Sequence, residues 1–268
     1  MRPITPPREG APARYLRLEL EYDGADFRGW AAQPGLRTVE GELRRALDRL
    51  LRAPYELRVA GRTDAGVHAS GQVASVSTDA QLSPERVRRG LAGLLPADLA
   101  ARAVAEADPG FDARRDAVAR AYEYRVLTGA PSPLRARRVL HHPAPLDPAA
   151  MRDAAARVVG QHDFRAFTPT QTEHVFFHRT VARCEWLERG DELVLAVEAD
   201  AFLRHMVRVL VGTMLLVGRG AAPPERMDAL LAGAPRGAAG PTAPAHGLTL
   251  VGVRYAAGAA EERAQAPE

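Results

Sequence analysis

The stretch "RVAGRTDAGVHASGQVASVST", Arg58 to Thr78, joins two short apolar runs through a segment of different character. Arg62, Thr63, Asp64 and His68 stand there among Gly61, Gly66 and Gly71. Glycines permit positive φ and close backbone approach, so such a loop can lie hard against a ligand. A carboxylate on it can act as a base, a nucleophile or a metal ligand. Arg62, two residues away, would hold Asp64 ionised and so favour a nucleophile over a general acid. Thr63 would orient the carboxylate through a hydroxyl hydrogen bond. The plainer alternative is a loop whose aspartate and arginine satisfy backbone groups and each other. Asp64 and His68 are four apart, but Gly66 between them and the lack of a second ligand cluster argue against a metal site.

Other residues could serve the same chemistry. "RAYEYRV" puts Tyr122, Tyr124 and Arg120 on one face of a strand, where one ring can be core and another a platform for a nucleic-acid base. Arg208 lies inside the most apolar run, "MVRVLVGTMLLVG", where a buried guanidinium needs an anion. Asp64 is a candidate partner, and a solvent-facing helix surface is the dull alternative. His174 and His178 have ligand spacing only on a helix, and their neighbours read as loop entering strand.

Hydrophobic periodicity supplies the elements that must position these groups. "RYLRLELEY" alternates Leu16, Leu18, Leu20 and Tyr22 with charged residues, a half-buried strand. Asp23-Gly24 is a turn signal. Thr38 caps a helix with Val39, Leu43, Ala46, Leu47, Leu50 and Leu51 on one face, stopped at Pro54. Ser83-Pro84 opens a second helix, with Val87, Leu91, Leu94 and Leu95 inward. A strand at "AVARAYEYRVL" follows, then a helix from Asp147-Pro148 to about Gly160 and a hairpin turning at Gly190-Asp191. The apolar helix, a short helix from Pro224 and a strand "GLTLVGVRY" complete the chain. The pattern predicts an α+β fold of two similar halves with largely antiparallel sheets flanked by helices. The expected division is a disordered tail over 1–13, an N-terminal half over 14–112 carrying the Asp64 loop, a C-terminal half over 113–256, and a disordered tail over 257–268.

The 268 residues carry 36 basic and 33 acidic side chains, and every basic one is arginine. The net charge of +3 says little, but Asp112 to Arg138 holds seven arginines against three carboxylates. That local excess is either a solvated face or a groove for phosphates. No apolar run reaches the ~18 residues of a membrane span. The N-terminus lacks a secretory apolar core, and one cysteine, Cys184, permits no internal disulfide. The chain reads as cytoplasmic.

Five segments, in order, resemble the tRNA pseudouridine synthase A family: "YDGADFRGW", "GRTDAGVHASGQV", "RAYEYRV", "FLRHMVRVLVG" and "APAHGLTLVGVRY". The resemblance spans roughly Tyr15 to Tyr255. It implies the pseudouridine synthase fold and isomerisation of uridine to pseudouridine at positions 38, 39 and 40 of the tRNA anticodon arm. It assigns the catalytic nucleophile to Asp64, with Arg62 its loop partner and Arg208 the basic residue paired with it. Tyr122 takes the ring that packs on the uracil, and Leu248 or Leu250 the apolar pocket wall. Arg114, Arg115, Arg120 and Gln33 would bind tRNA. A homodimer, no metal and no cofactor are also implied, since isomerisation has no redox step. The family usually follows "GW" with glutamine, whereas this chain has Ala31 and keeps Gln33. The alternative is a tRNA-binding or folding protein on the same scaffold without turnover. An aspartate-dependent glycosidase would want a second carboxylate where the loop offers arginine.

Overall fold

The computed structural model describes residues 14–171 and 175–256. Both tails expected to be disordered, and His174, lie outside the described residues. The chain divides into two compact units, one formed by residues up to 118 with those from 252 on, the other by residues 119–251.

The first unit begins with β1 (Arg14–Tyr22), then α1 (Val39–Leu51), β2 (Tyr55–Val59), β3 (His68–Thr78), α2 (Pro84–Leu94) and β4 (Leu99–Ala107). β1 lies between β3 and β4, antiparallel to both, and β2 pairs antiparallel with β3. The alternation read from β1 holds: Leu16, Leu18, Leu20 and Tyr22 are all buried. Thr38 caps α1 by accepting from the Gly41 amide (3.2 Å), and Val39, Leu43, Ala46, Leu47 and Leu51 go inward. Leu50 packs against Gly90 of α2, where an added Cβ would meet a Leu50 methyl at 2.5 Å. Leu94, expected inward, is 38% exposed, because α2 ends there and the chain leaves toward Pro96.

The chain continues with β5 (Ala117–Leu127), β6 (Leu140–His141), α3 (Pro148–Ala156), β7 (Gly160–Asp163), β8 (His178–Arg189), β9 (Glu192–Ala199), α4 (Met206–Gly218), α5 (Arg226–Leu231) and β10 (Leu248–Tyr255), all in the second unit but for the first two residues of β5 and the last four of β10. β5, β9, β8 and β7 lie side by side in that order, all antiparallel, while the short β6 runs parallel to β5. The β8–β9 hairpin turns at Gly190, with φ of +65°, as the Gly-Asp signal predicts. α3 stops four residues short of Gly160, which instead opens β7. The short helix expected from Pro224 is α5, starting two residues later. The fold is α+β with a mixed, mainly antiparallel sheet.

α4 is the centre of the second unit. All its residues except Arg208 and Leu216 are buried. Backbone crosses it closely: a Cβ on Gly212 would fall 1.8 Å from the Pro241 carbonyl oxygen, and one on Gly240 2.7 Å from Thr213. Thr213 Oγ1 accepts from the Gly240 amide (2.9 Å) and donates to Val209 O (2.8 Å). On β8, Trp186 donates to the Met214 sulfur (3.2 Å), and Cys184 is buried with its thiol pushed up to about 12 by desolvation. A Gly212→Ala change must displace backbone rather than a flexible side chain. It should lower stability by about 3 kcal/mol, read as a lower urea midpoint at unchanged m-value.

Candidate active site

The loop between β2 and β3 has no ladder of its own, so its shape comes from what its neighbours donate and accept. Asp64 is half-buried at the head of a tight turn closed by Val67 N–H to Asp64 O (3.2 Å), with Gly66 at φ of +80°. Thr63 before it is buried, and its hydroxyl lies 2.8 Å from the Tyr22 hydroxyl of β1. The Thr63 hydroxyl, expected to orient Asp64, thus meets Tyr22. Gln72 of β3, fully buried, donates to Tyr22 Oη (3.2 Å) and to Gly61 O (2.8 Å).

The segment after β1 forms the wall behind the loop. Asp23 Oδ1 accepts from the Ala25 amide (3.1 Å). The Gly24 amide donates to Nδ1 of buried His68 (3.0 Å), and Asp23 Oδ1 is 3.2 Å from the same nitrogen. One nitrogen cannot accept from the amide and donate to the carboxylate at once; the shorter, buried amide bond is the one that orients the ring. A Cβ on Gly24 would sit 1.9 Å from the Val67 carbonyl oxygen. Phe27 O accepts from Gly66 N–H (3.2 Å), and Trp30 N–H donates to Thr63 O (3.0 Å). Asp23-Gly24, legible in sequence as a turn, is thus a close-packed support. The supporting roles of Tyr22, His68 and Gln72 escaped the sequence reading; for Gln72, a glutamine in the apolar alternation "GQVASV" was the available signal.

Arg62 is exposed and Asp64 half-buried, with the buried Thr63 between them in sequence.

The second unit holds the remaining candidates. Tyr122 is 8% exposed and meets the Phe202 ring edge-on at 5.1 Å. Tyr124 is the core tyrosine: its hydroxyl donates to Pro244 O (2.9 Å), and a Cβ on Gly247 would touch its ring at 2.7 Å. Burial raises its pKa, against the opposing positive charge of Arg208. Arg208 is half-buried and donates from Nε to Ala243 O (2.8 Å), while Ala243 N–H returns a bond to Arg208 O (3.0 Å). The segment from Pro241 to Gly247 therefore joins Arg208 to Tyr124, and it leads directly into Leu248 and Leu250, both buried.

The arginine-rich stretch is not one uncommitted strip. Arg135 forks onto Asp191 (2.6 and 2.8 Å) and reaches Glu192 (3.0 Å); Arg125 pairs with Glu123 (3.2 Å). The carboxylates on Asp191 and Glu192 come from the β8–β9 hairpin, far along the chain, so a local charge count could not find them. Arg120 donates to Asp200 O (2.8 Å). Arg114 and Arg115 have exposed side chains, and their backbone amides donate to Asp112 (2.8 and 3.1 Å). Gln33 is exposed, with Nε2 3.4 Å from Arg28 O. Among the described residues no group of three His, Cys, Asp or Glu is placed to hold a metal ion, and no helix is long and apolar enough to cross a membrane.

A family model described as tRNA pseudouridine synthase matches residues 20–114 and 154–256. The chain belongs to this family. A tRNA pseudouridine synthase A of Chloroflexus aurantiacus is 47% identical over 251 residues, covering 91% of this chain and 90% of the relative. The synthase A of Frankia casuarinae is 49% identical over 245 residues, covering 90% and 89%. Among solved structures, the archaeal box H/ACA sRNP Nop10-Cbf5 complex is similar over 75% of this chain and 44% of that chain, at 15% identity and a TM-score of 0.31. In this synthase-family chain the first matched segment holds Asp64 with all its supports, and the second holds Arg208, Leu248 and Leu250. Tyr122 falls between the two segments.

Burial pushes the Tyr22 hydroxyl up to about 12. An unfolded tyrosine loses its proton near 10, so the unfolded state binds fewer protons between those values and stability falls as pH rises. Below pH 10 this group contributes no slope. Chemical denaturation at intervals from pH 9 to about 12 should show a shallower alkaline loss in Tyr22→Phe than in the parent; equal slopes would mean that the hydroxyl is not held neutral.

Proposed function

We propose that the protein isomerises uridine to pseudouridine in the tRNA anticodon arm, at positions 38, 39 and 40, with Asp64 as the nucleophile. The observation that carries this reading is the half-buried Asp64 carboxylate on a turn whose backbone is tied to β3 and the Asp23–Trp30 segment, with Thr63 beside it held by Tyr22 of β1. The relatives named tRNA pseudouridine synthase A support the substrate and the reaction.

The conversion breaks the bond from uracil N1 to ribose C1′ and makes one from C5 to C1′. The C5 hydrogen leaves as a proton and N1 ends protonated, so no electrons enter or leave. An ionised aspartate can attack C1′, expelling uracil as an anion, promote a glycal, or attack C6. Each route needs the carboxylate charged and fixed in direction, which guanidinium groups favour. Arg62 and Arg208 carry that charge in this reading.

A stem uridine must leave its stack to be reached, at a cost of a few kcal/mol. Tyr122 supplies the ring that replaces the lost stacking, and Leu248 and Leu250 the apolar wall. Arg114, Arg115, Arg120 and Gln33 contact the arm outside the pocket, where exposed guanidinium groups suit phosphates. The same reading has the protein act as a homodimer in the cytoplasm.

Release of tritium from tRNA carrying 5-tritiated uridine separates turnover from binding. Asp64→Asn should bind tRNA normally and release tritium slower by about three orders of magnitude or more; near-normal release would remove Asp64 from the nucleophile's role. Tyr122→Phe should retain most of the rate, while Tyr122→Ala should lose about tenfold or more, as loss of ~1–3 kcal/mol of stacking requires. Equal loss in both would assign the work to the hydroxyl.

A further inference from the structure

We propose that Gln72 is a positioning residue for Asp64, acting through Tyr22 and Thr63. This rests on the reading of Asp64 as nucleophile and adds the device that fixes its direction.

Gln72 is a fully buried amide in the middle of β3, a place where a polar side chain is costly unless every group is used. Both hydrogens of its nitrogen are used, one on Gly61 O (2.8 Å) and one on Tyr22 Oη (3.2 Å). Its oxygen accepts from the Val73 amide (3.2 Å), which decides the orientation of the amide, since the flipped form would set oxygen against the Gly61 carbonyl.

Tyr22 then has one donor partner, Gln72, and one oxygen that can accept, Thr63 Oγ1 at 2.8 Å. Its own proton is buried and must be satisfied, so it goes to Thr63. The order Gln72 to Tyr22 to Thr63 is thereby fixed, and each step points toward the loop. The chain of bonds grips the residue before Arg62 by its carbonyl and the residue before Asp64 by its side chain. Trp30 N–H holds the Thr63 carbonyl as well (3.0 Å), so the peptide that leads into Asp64 is restrained on both sides. Gln72, Tyr22 and Thr63 are all buried. Their effect on rate is through the aim of the carboxylate.

The test measures kcat and KM for tritium release from 5-tritiated tRNA. Gln72→Met and Thr63→Val keep the volume and remove the bonds; each should lower kcat by about tenfold or more and leave KM within about twofold. Thr63→Ser restores the hydroxyl and should recover most of the kcat that Thr63→Val loses. Parental kcat in Gln72→Met, a loss confined to KM, or a Thr63→Ser rate no better than that of Thr63→Val would overturn the proposal. Should Gln72→Met fail to fold, Tyr22→Phe, which keeps the buried ring, decides by the same kcat criterion. Asp64→Asn run in parallel separates the two ideas. If it is inactive while Gln72→Met is normal, only the positioning role fails; if it is active, the nucleophile assignment fails.

Discussion

A carboxylate on an irregular loop has no ladder to set its direction, and a displacement of about 1 Å can remove most of a catalytic effect. The first unit meets this constraint with a buried set of polar contacts behind Asp64. Gln72 and Tyr22 reach the loop from β3 and β1, and the Asp23–Trp30 segment closes on it at Val67, Gly66 and Thr63. β1 and β3 pair antiparallel through most of their length, with a register shift between Leu20 and Tyr22, beside the two side chains.

Burying this many polar atoms is safe only because they satisfy one another. A buried donor left without its acceptor costs about 1–3 kcal/mol, more than an ordinary surface contact contributes. The same logic governs α4, where Thr213 and Arg208 bond the strand of backbone that crosses the helix. In both units, then, a polar side chain in an apolar element holds a neighbouring loop. Gly24, Gly212 and Gly240 allow the backbones to approach closely enough for those bonds to form.

Elements with a strong period were legible. β1 and the face of α1 follow directly from alternation and from the Thr38 cap, and the Gly190 turn from its dipeptide. The Asp64 loop was legible as a place of chemistry because its glycines and charges interrupt two apolar runs. Its supports were not, because a hydrogen bond between residues 50 positions apart, such as Gln72 to Tyr22, leaves no local trace. The partners of Arg135 were hidden for the same reason: Asp191 and Glu192 arrive through strand pairing between β5 and β9. Leu94 failed at a helix end, where the face defined by the preceding turns no longer applies.

Cys184 has a practical consequence. It is the chain's one cysteine, its sulfur is enclosed by β8 packing, and its thiol stays protonated far beyond neutral pH. Maleimides and other alkylating reagents attack the thiolate, so the native protein is nearly silent toward them. A second cysteine placed on an exposed helix or hairpin would be the sole reactive handle. Fluorophores or spin labels can thus be attached at one chosen point without first stripping the wild-type thiol from the core.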